Sequence, residues 1–267
     1  MEIHDIGTET DYDALFNAEN YLYFNQDSFL TAEKTKLEIQ FVREKLGIHK
    51  NTSLLDLACG HGRHANVLAK ESRRIVGLDT NVDFLKLARK QATSVGVNNA
   101  TYIKQDIRKL DYTAQFERAM MLNTVFGLFR DEENCDLLRR INRALKPAGQ
   151  FCFDVINRDM ILVDFQPDYI FEKDGNLLLD RCSFDPRTGR MTNRRVYLKN
   201  GLQTNAHFSL RVYNYTEIVA LLAAANFKIV EAFADWHANP IGCKSKKIVI
   251  IAGKTDEAQR PNQGCAK

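Results

Sequence analysis

Residues 54–64 read Leu-Leu-Asp-Leu-Ala-Cys-Gly-His-Gly-Arg-His. Four apolar residues around one acid, Leu54 to Ala58, predict a buried strand; Gly60 and Gly62 predict a tight turn; Ala65 to Lys70 predicts a helix. A Cβ at either glycine would obstruct a backbone of positive φ or a ligand packed against it, and the start of a helix presents unpaired N–H groups. A strand, a glycine turn and a helix in that order make a cofactor-binding corner.

Working outward, Ala32 to Leu46 has helical spacing and Gly47 ends it, whereas the aromatic-rich residues 1–30 follow no clean period and suggest a short helix and a cap. Downstream, short strands are expected at Arg74–Leu78, Thr101–Lys104, Arg118–Leu122 and Phe151–Ile156. Helices are expected after Asn81 and over Asp131–Leu145, and a turn at Lys146-Pro147-Ala148-Gly149. Strands alternating with helices imply right-handed parallel crossovers and a doubly wound α/β sheet. The alternation breaks at residue 157. From there to Arg211, β-like runs separated by Asp174-Gly175, Gly189 and Asn200-Gly201 predict an antiparallel insertion of hairpins. A helix around Ile218–Ala225 and strands at Lys228–Phe233 and Lys247–Ala252 close the sheet, so residues 1–254 read as one domain and 255–267 as a disordered tail.

With 37 basic and 34 acidic residues the charge is too balanced to argue for a nucleic-acid or membrane partner. Six cysteines without a C-x-x-C pair fit reduced thiols, and the chain shows neither a leader-like amino terminus nor eighteen consecutive apolar residues. A cytoplasmic protein is expected; its oligomeric state is not legible.

Gly60-x-Gly62-x-x-Ala65 with a following Asp79 satisfies the dinucleotide fingerprint, which keeps NAD and an oxidoreductase as an alternative. Other features favour S-adenosylmethionine. Asp56, inside the strand, would repel a pyrophosphate but could anchor an amino group. Asp56, Asp79 and Asp106 fall at the carboxyl ends of three successive strands, where one ligand would meet all three. The closing helix and two strands suit a seven-stranded sheet whose last strand enters as a hairpin.

Through Leu55–His64, Val76-Gly77-Leu78-Asp79, Gln105-Asp106-Ile107-Arg108 and Leu145-Lys146-Pro147-Ala148-Gly149, the chain resembles the class I S-adenosylmethionine-dependent methyltransferases over most of residues 31–254. It is most similar to the small-molecule branch with an antiparallel lid after the fifth strand, which includes sugar N,N-dimethyltransferases. The resemblance implies a Rossmann-like, mostly parallel seven-stranded sheet. It also implies that Asp56, Ala58 and the Gly60–Gly62 loop hold the methionine part, Asp79 and Thr80 the ribose, and Asp106 and Ile107 the adenine. Tyr12, Tyr23, Leu122 and Asn123 would add contacts. His61 and Ala148 depart from the family pattern at positions where backbone supplies the contacts.

For the acceptor, the expected contacts are Phe126, Asn157, Arg211 and Tyr213, the last two for an anionic group, with Tyr12, His207 and Asp154 as weak candidates for a base. His61 and His64 lack a third ligand at metal spacing and suggest an ordinary surface or loop role. The expected reaction is methyl transfer to nitrogen or oxygen of a small molecule. RNA or protein acceptors, and a cofactor-binding protein without turnover, are alternatives.

Overall fold

The computed structural model describes residues 10–242 and 244–255; the tail expected to be disordered lies, from residue 256 onward, outside the described residues. Three helices come first: α1 (Tyr12–Leu15), α2 (Ala18–Asn25) and α3 (Ala32–Lys45), the last capped by Thr31 Oγ1 accepting from Lys34 N at 3.2 Å. Next come β1 (Ser53–Leu57), the single-turn α4 (Ala65–Leu68), β2 (Arg74–Asp79), α5 (Val82–Ser94), β3 (Ala100–Lys104), β4 (Phe116–Met121), α6 (Asp131–Ala144) and β5 (Leu145–Ile156). After α7 (Arg158–Val163) lie β6 (Asp168–Lys173), β7 (Asn176–Asp185), β8 (Arg190–Lys199) and β9 (Leu202–Arg211). The chain then returns through α8 (Tyr215–Ala224), β10 (Phe227–Phe233) and β11 (Lys247–Lys254).

The main sheet has the order β10-β11-β5-β4-β1-β2-β3, with only β11 antiparallel to its neighbours. This is the expected doubly wound sheet with a late hairpin. β1 is buried along its whole length between β4 and β2, which explains its nearly continuous apolar run. The Lys146–Gly149 turn is absorbed into β5 as an irregularity: Phe116 pairs with Leu145 but Arg118 pairs with Gln150, and Ala148 takes φ 58° inside the excursion.

β6 to β9 form a separate four-stranded antiparallel sheet, as the hairpin signals predict, while α7, capped by Asn157, adds a helix before it. The unpatterned N-terminal aromatics now have a physical reason. Leu15 and Phe24 pack with Leu178, Tyr197 and Ala206 of the insertion, so their spacing answers to a sheet more than 150 residues away.

Candidate functional site

The corner is built by backbone that only a few residues tolerate. Ala58 (φ 55°), Gly60 (φ 54°) and Gly62 (φ 75°) all occupy the left-handed region as β1 turns toward α4. The two glycines do different work. A Cβ on Gly62 would lie 2.8 Å from Tyr102 Oη and 2.9 Å from Ala88 Cβ, so Gly62 lets α5 and β3 pack against the loop. A Cβ on Gly60 would meet nothing within 4 Å, because that position faces open space. α4 runs on without a break into a 3₁₀ turn over Ala69–Glu71, so helical backbone covers the expected Ala65–Lys70.

That space is a cleft of about 480 Å³ across the carboxyl ends of the central strands. Asp56, Ala58, Gly60, Asp79, Thr80, Asp106, Ile107, Leu122, Asn123 and Tyr12 line it. Asp56 is 3% exposed and its Oδ2 has no hydrogen-bond partner. Burial chiefly, then the neighbouring Asp79 carboxylate, push its pKa up to about 8 against the opposing pull of Arg63. Asp79 is also raised by burial, although its carboxylate accepts backbone N–H groups from Gly60 and Asn81, each at 2.8 Å. At Asp106 burial acts upward but hydrogen bonds from Arg108 win, and the carboxyl sits below its ordinary value. Arg108 in turn bonds Glu133 at 3.0 Å and lies over the Phe129 ring. An unpaired buried acid amid further acids suits a ligand carrying positive charge.

Several expected residues lie elsewhere. Tyr23 is held at the insertion, donating to Lys173 O at 3.0 Å, and does not line the cleft. Asp154 is fully buried, paired with Lys247 at 2.7 Å and accepting from Thr124 N. Phe126 and Tyr213 are core, with ring centroids 5.4 Å apart. Asn157 donates to Ser245 O at 2.8 Å and caps α7. Arg211 pairs with Glu217 and Asp131, at 2.7 and 3.4 Å, which neutralises the cation expected to meet an anionic acceptor. His207 is exposed on the insertion, its carbonyl accepting from Asp11 N at 3.0 Å, beside a second cavity outside the cleft. Of the three base candidates only Tyr12 reaches the cleft, and its hydroxyl donates to Leu128 O at 3.1 Å.

Other residues enter the cleft without having been anticipated. Tyr21 and Phe84 meet edge to face at 5.5 Å on one wall, and Phe16, Val125 and Phe129 line it as well. Arg63 and both histidines of the corner line it too. His61, expected at the surface, is pushed down to about 4, by burial first, and His64 is 6% exposed against Glu38. Arg63 was legible in part from its place beside Gly62; Tyr21 and Phe84 carried no local signal. A Tyr-x-x-x-Lys spacing, which the oxidoreductase alternative would need near the cleft, does occur at Tyr169–Lys173. It lies on β6, where Lys173 is taken up by Asp27 and by the carbonyl of Tyr23.

The fold is that of the class I methyltransferases, a seven-stranded sheet of this order, here with the glycine corner and acids ending successive strands along one cleft. Residues 54–149 match the family described as methyltransferase domain. The chain is 28% identical over 123 residues to the ubiquinone biosynthesis O-methyltransferase of Serratia proteamaculans, covering 46% of this chain and 50% of that protein. It thus spans about half the length of the curated relatives it matches. In fold it is similar to an S-adenosylmethionine-dependent methyltransferase from Clostridium acetobutylicum, with TM-score 0.78, 17% identity, and coverage of 91% and 100% of the two chains. It is also similar to CalS10 of Micromonospora echinaspora, an amino pentose methyltransferase solved with S-adenosylmethionine, with TM-score 0.60, 17% identity, and coverage of 84% and 91%.

The residues present fit that cofactor. The unpaired Asp56 oxygen matches a cationic amino group, and Gly60 leaves open the space a side chain would close.

Proposed function

We propose that the chain transfers the methyl group of S-adenosylmethionine to a nitrogen or oxygen of a small molecule. The observation that carries this reading is the cleft itself, in which the unpaired Asp56 carboxylate at the end of β1 shares one enclosed space with the aromatic wall of Tyr12, Phe16 and Phe129. Asp56, Asp79 and Asp106 would hold the cofactor, with Thr80, Ile107, Leu122 and Asn123 around it. The cofactor supplies an activated methyl on a sulfonium sulfur, and the protein aligns the acceptor and excludes water.

Tyr12 is raised above its ordinary pKa, by burial first, and stays a phenol at neutral pH; it orients rather than removes a proton. Its bond to Leu128 O holds α1 against the loop after β4, which closes the cleft where the acceptor would enter. A small acceptor is further supported by the insertion, where Arg190, Arg195 and Arg211 are taken up by Asp131, Asp180 and Glu217. An anionic group on the acceptor finds no support at Arg211. The four described free cysteines support a reducing compartment, and no helix among the described residues is long and apolar enough to cross a membrane.

The test is incubation of the full chain with methyl-labelled S-adenosylmethionine and a size-fractionated cell extract. Label in the low-mass fraction is expected. Label confined to RNA or protein overturns the small-molecule reading, and release of adenosylhomocysteine in no fraction overturns turnover.

A further inference from the structure

The antiparallel insertion sets alternate residues of β7, β8 and β9 on opposite faces. Leu178, Tyr197 and Ala206 turn inward and pack with Leu15 and Phe24. On the other face Arg181 stands in register with Arg194, and Arg194 with His207, so three basic residues lie directly opposite one another across three strands, all of them exposed. Guanidinium groups placed directly opposite each other repel, which costs the sheet stability unless an anion lies between them.

The other cations of the insertion are neutralised. Lys173, Arg187, Arg190, Arg195, Lys199 and Arg211 bond the carboxylates of Asp27, Asp185, Asp131, Asp180, Glu19 and Glu217. Arg181 meets the exposed Asp168 through Nε at 3.2 Å, whereas the side chains of Arg194 and His207 have no partner among the described residues. The row lines a groove of about 1010 Å³. Ser183 and Thr192, whose hydroxyls bond each other at 2.6 Å, form the next row on the same face and line the groove as well. Its two carboxylates outside ion pairs of the sheet's inner face are Asp168, on Arg181, and Asp11, whose side chain accepts from Ala14 N at 3.0 Å to cap α1. Asp11 is also the single described residue that lines both this groove and the cofactor cleft, so the two spaces are separate.

We propose that this groove is a second ligand site, outside the methyl-transfer cleft, and that it takes a small phosphomonoester. Two guanidinium groups, an imidazole and two hydroxyls on adjacent rows supply the donors that phosphate oxygens accept, and a dianion between the arginines removes their repulsion. The groove is larger than a phosphate group and leaves room for the molecule that carries it. One row of three basic residues is too short a track for a polynucleotide, whose charges repeat along the whole strand.

Titration of the full chain with inorganic phosphate and with glycerol phosphate, at fixed pH and ionic strength, tests it. The readout is the ring signal of His207 in proton–carbon spectra, assigned by its loss in His207→Gln. Saturable shifts are expected with both probes, at lower concentration for glycerol phosphate, and none with chloride. Arg194→Gln should weaken both about fivefold, the upper range for an ion pair open to solvent. Arg187→Gln, in the same insertion but already bound to Asp185, should change neither. A shift that stays linear or is reproduced by chloride overturns the proposal, as does an equal loss in the two arginine variants. Inorganic phosphate binding as tightly as glycerol phosphate assigns the site to the free ion and overturns the phosphomonoester. Displacement by saturating adenosylhomocysteine puts the anion in the cofactor cleft and overturns the second site, and decathymidylate binding more tightly than glycerol phosphate overturns the small ligand.

Discussion

The carboxylate of Asp79 accepts the backbone N–H of Gly60 at 2.8 Å, so the acid ending β2 fixes the glycine loop that ends β1. Its second oxygen accepts from Asn81 N at 2.8 Å, which ties the same acid to the start of α5. Asp79→Asn turns one acceptor into an NH₂ facing an N–H donor. We expect a stability loss of about 1–3 kcal/mol in urea melts, and an affinity for adenosylhomocysteine at least about tenfold weaker by calorimetry. Affinity equal to wild type would leave Asp79 as a loop anchor alone.

Gly60 and Gly62 have the same backbone handedness and different surroundings, so their alanine variants should separate. Gly62→Ala adds a clash with Tyr102 and Ala88 to the left-handed penalty and should cost about 2–4 kcal/mol. Gly60→Ala carries only the backbone penalty, about 1–2 kcal/mol, and should show its larger effect on cofactor affinity. Matching urea midpoints for the two variants would contradict this division.

Asp56 has its folded-state pKa raised to about 8 from an ordinary 3.8. The folded protein therefore holds a proton that the unfolded chain releases, and this group's contribution to stability is full below about pH 4 and lost as pH rises toward 8. Ligand binding runs the other way, since a cationic amino group needs Asp56 ionised. Adenosylhomocysteine affinity should climb between pH 6 and pH 8, and Asp56→Asn should flatten that climb while making the free protein more stable near pH 8. A climb of equal slope in Asp56→Asn would assign the titration to another group.

Arg190 joins the insertion to the main domain, bonding Asp131 at 3.0 Å, Ser209 Oγ at 2.9 Å and the carbonyl of Phe129 at 3.0 Å. Arg190→Met removes the bonds to Asp131 and Ser209, while the Phe129 carbonyl keeps Asn134 Nδ2 at 2.9 Å, and should cost about 1–3 kcal/mol. Cofactor affinity should hold, because Arg190 does not line the cleft. A large loss of adenosylhomocysteine binding would show that the insertion orders the cofactor half as well.

That Asp56, Gly60, Asp79 and Asp106 share one cleft was legible because they follow strands at short, regular offsets. The surroundings of the residues expected to meet an acceptor were not. Arg211 and Asp154 read as available charges, but Glu217, Asp131 and Lys247 claim them across spacings that no local pattern encodes. Phe126 read equally as pocket or core, and packing against Phe153 and Tyr213 makes it core.

By itself the sequence determined the doubly wound sheet, the antiparallel insertion and the corner at Leu54–His64, since strand period, helix period and turn glycines act over a few residues. Only the tertiary structure decided that Gly62 serves packing while Gly60 opens the cleft, that Tyr23 belongs to the insertion, and that Tyr21, Phe84 and Arg63 line the cleft. Those roles depend on which distant side chains share a desolvated space, and in that space an unpaired acid such as Asp56 acquires its meaning.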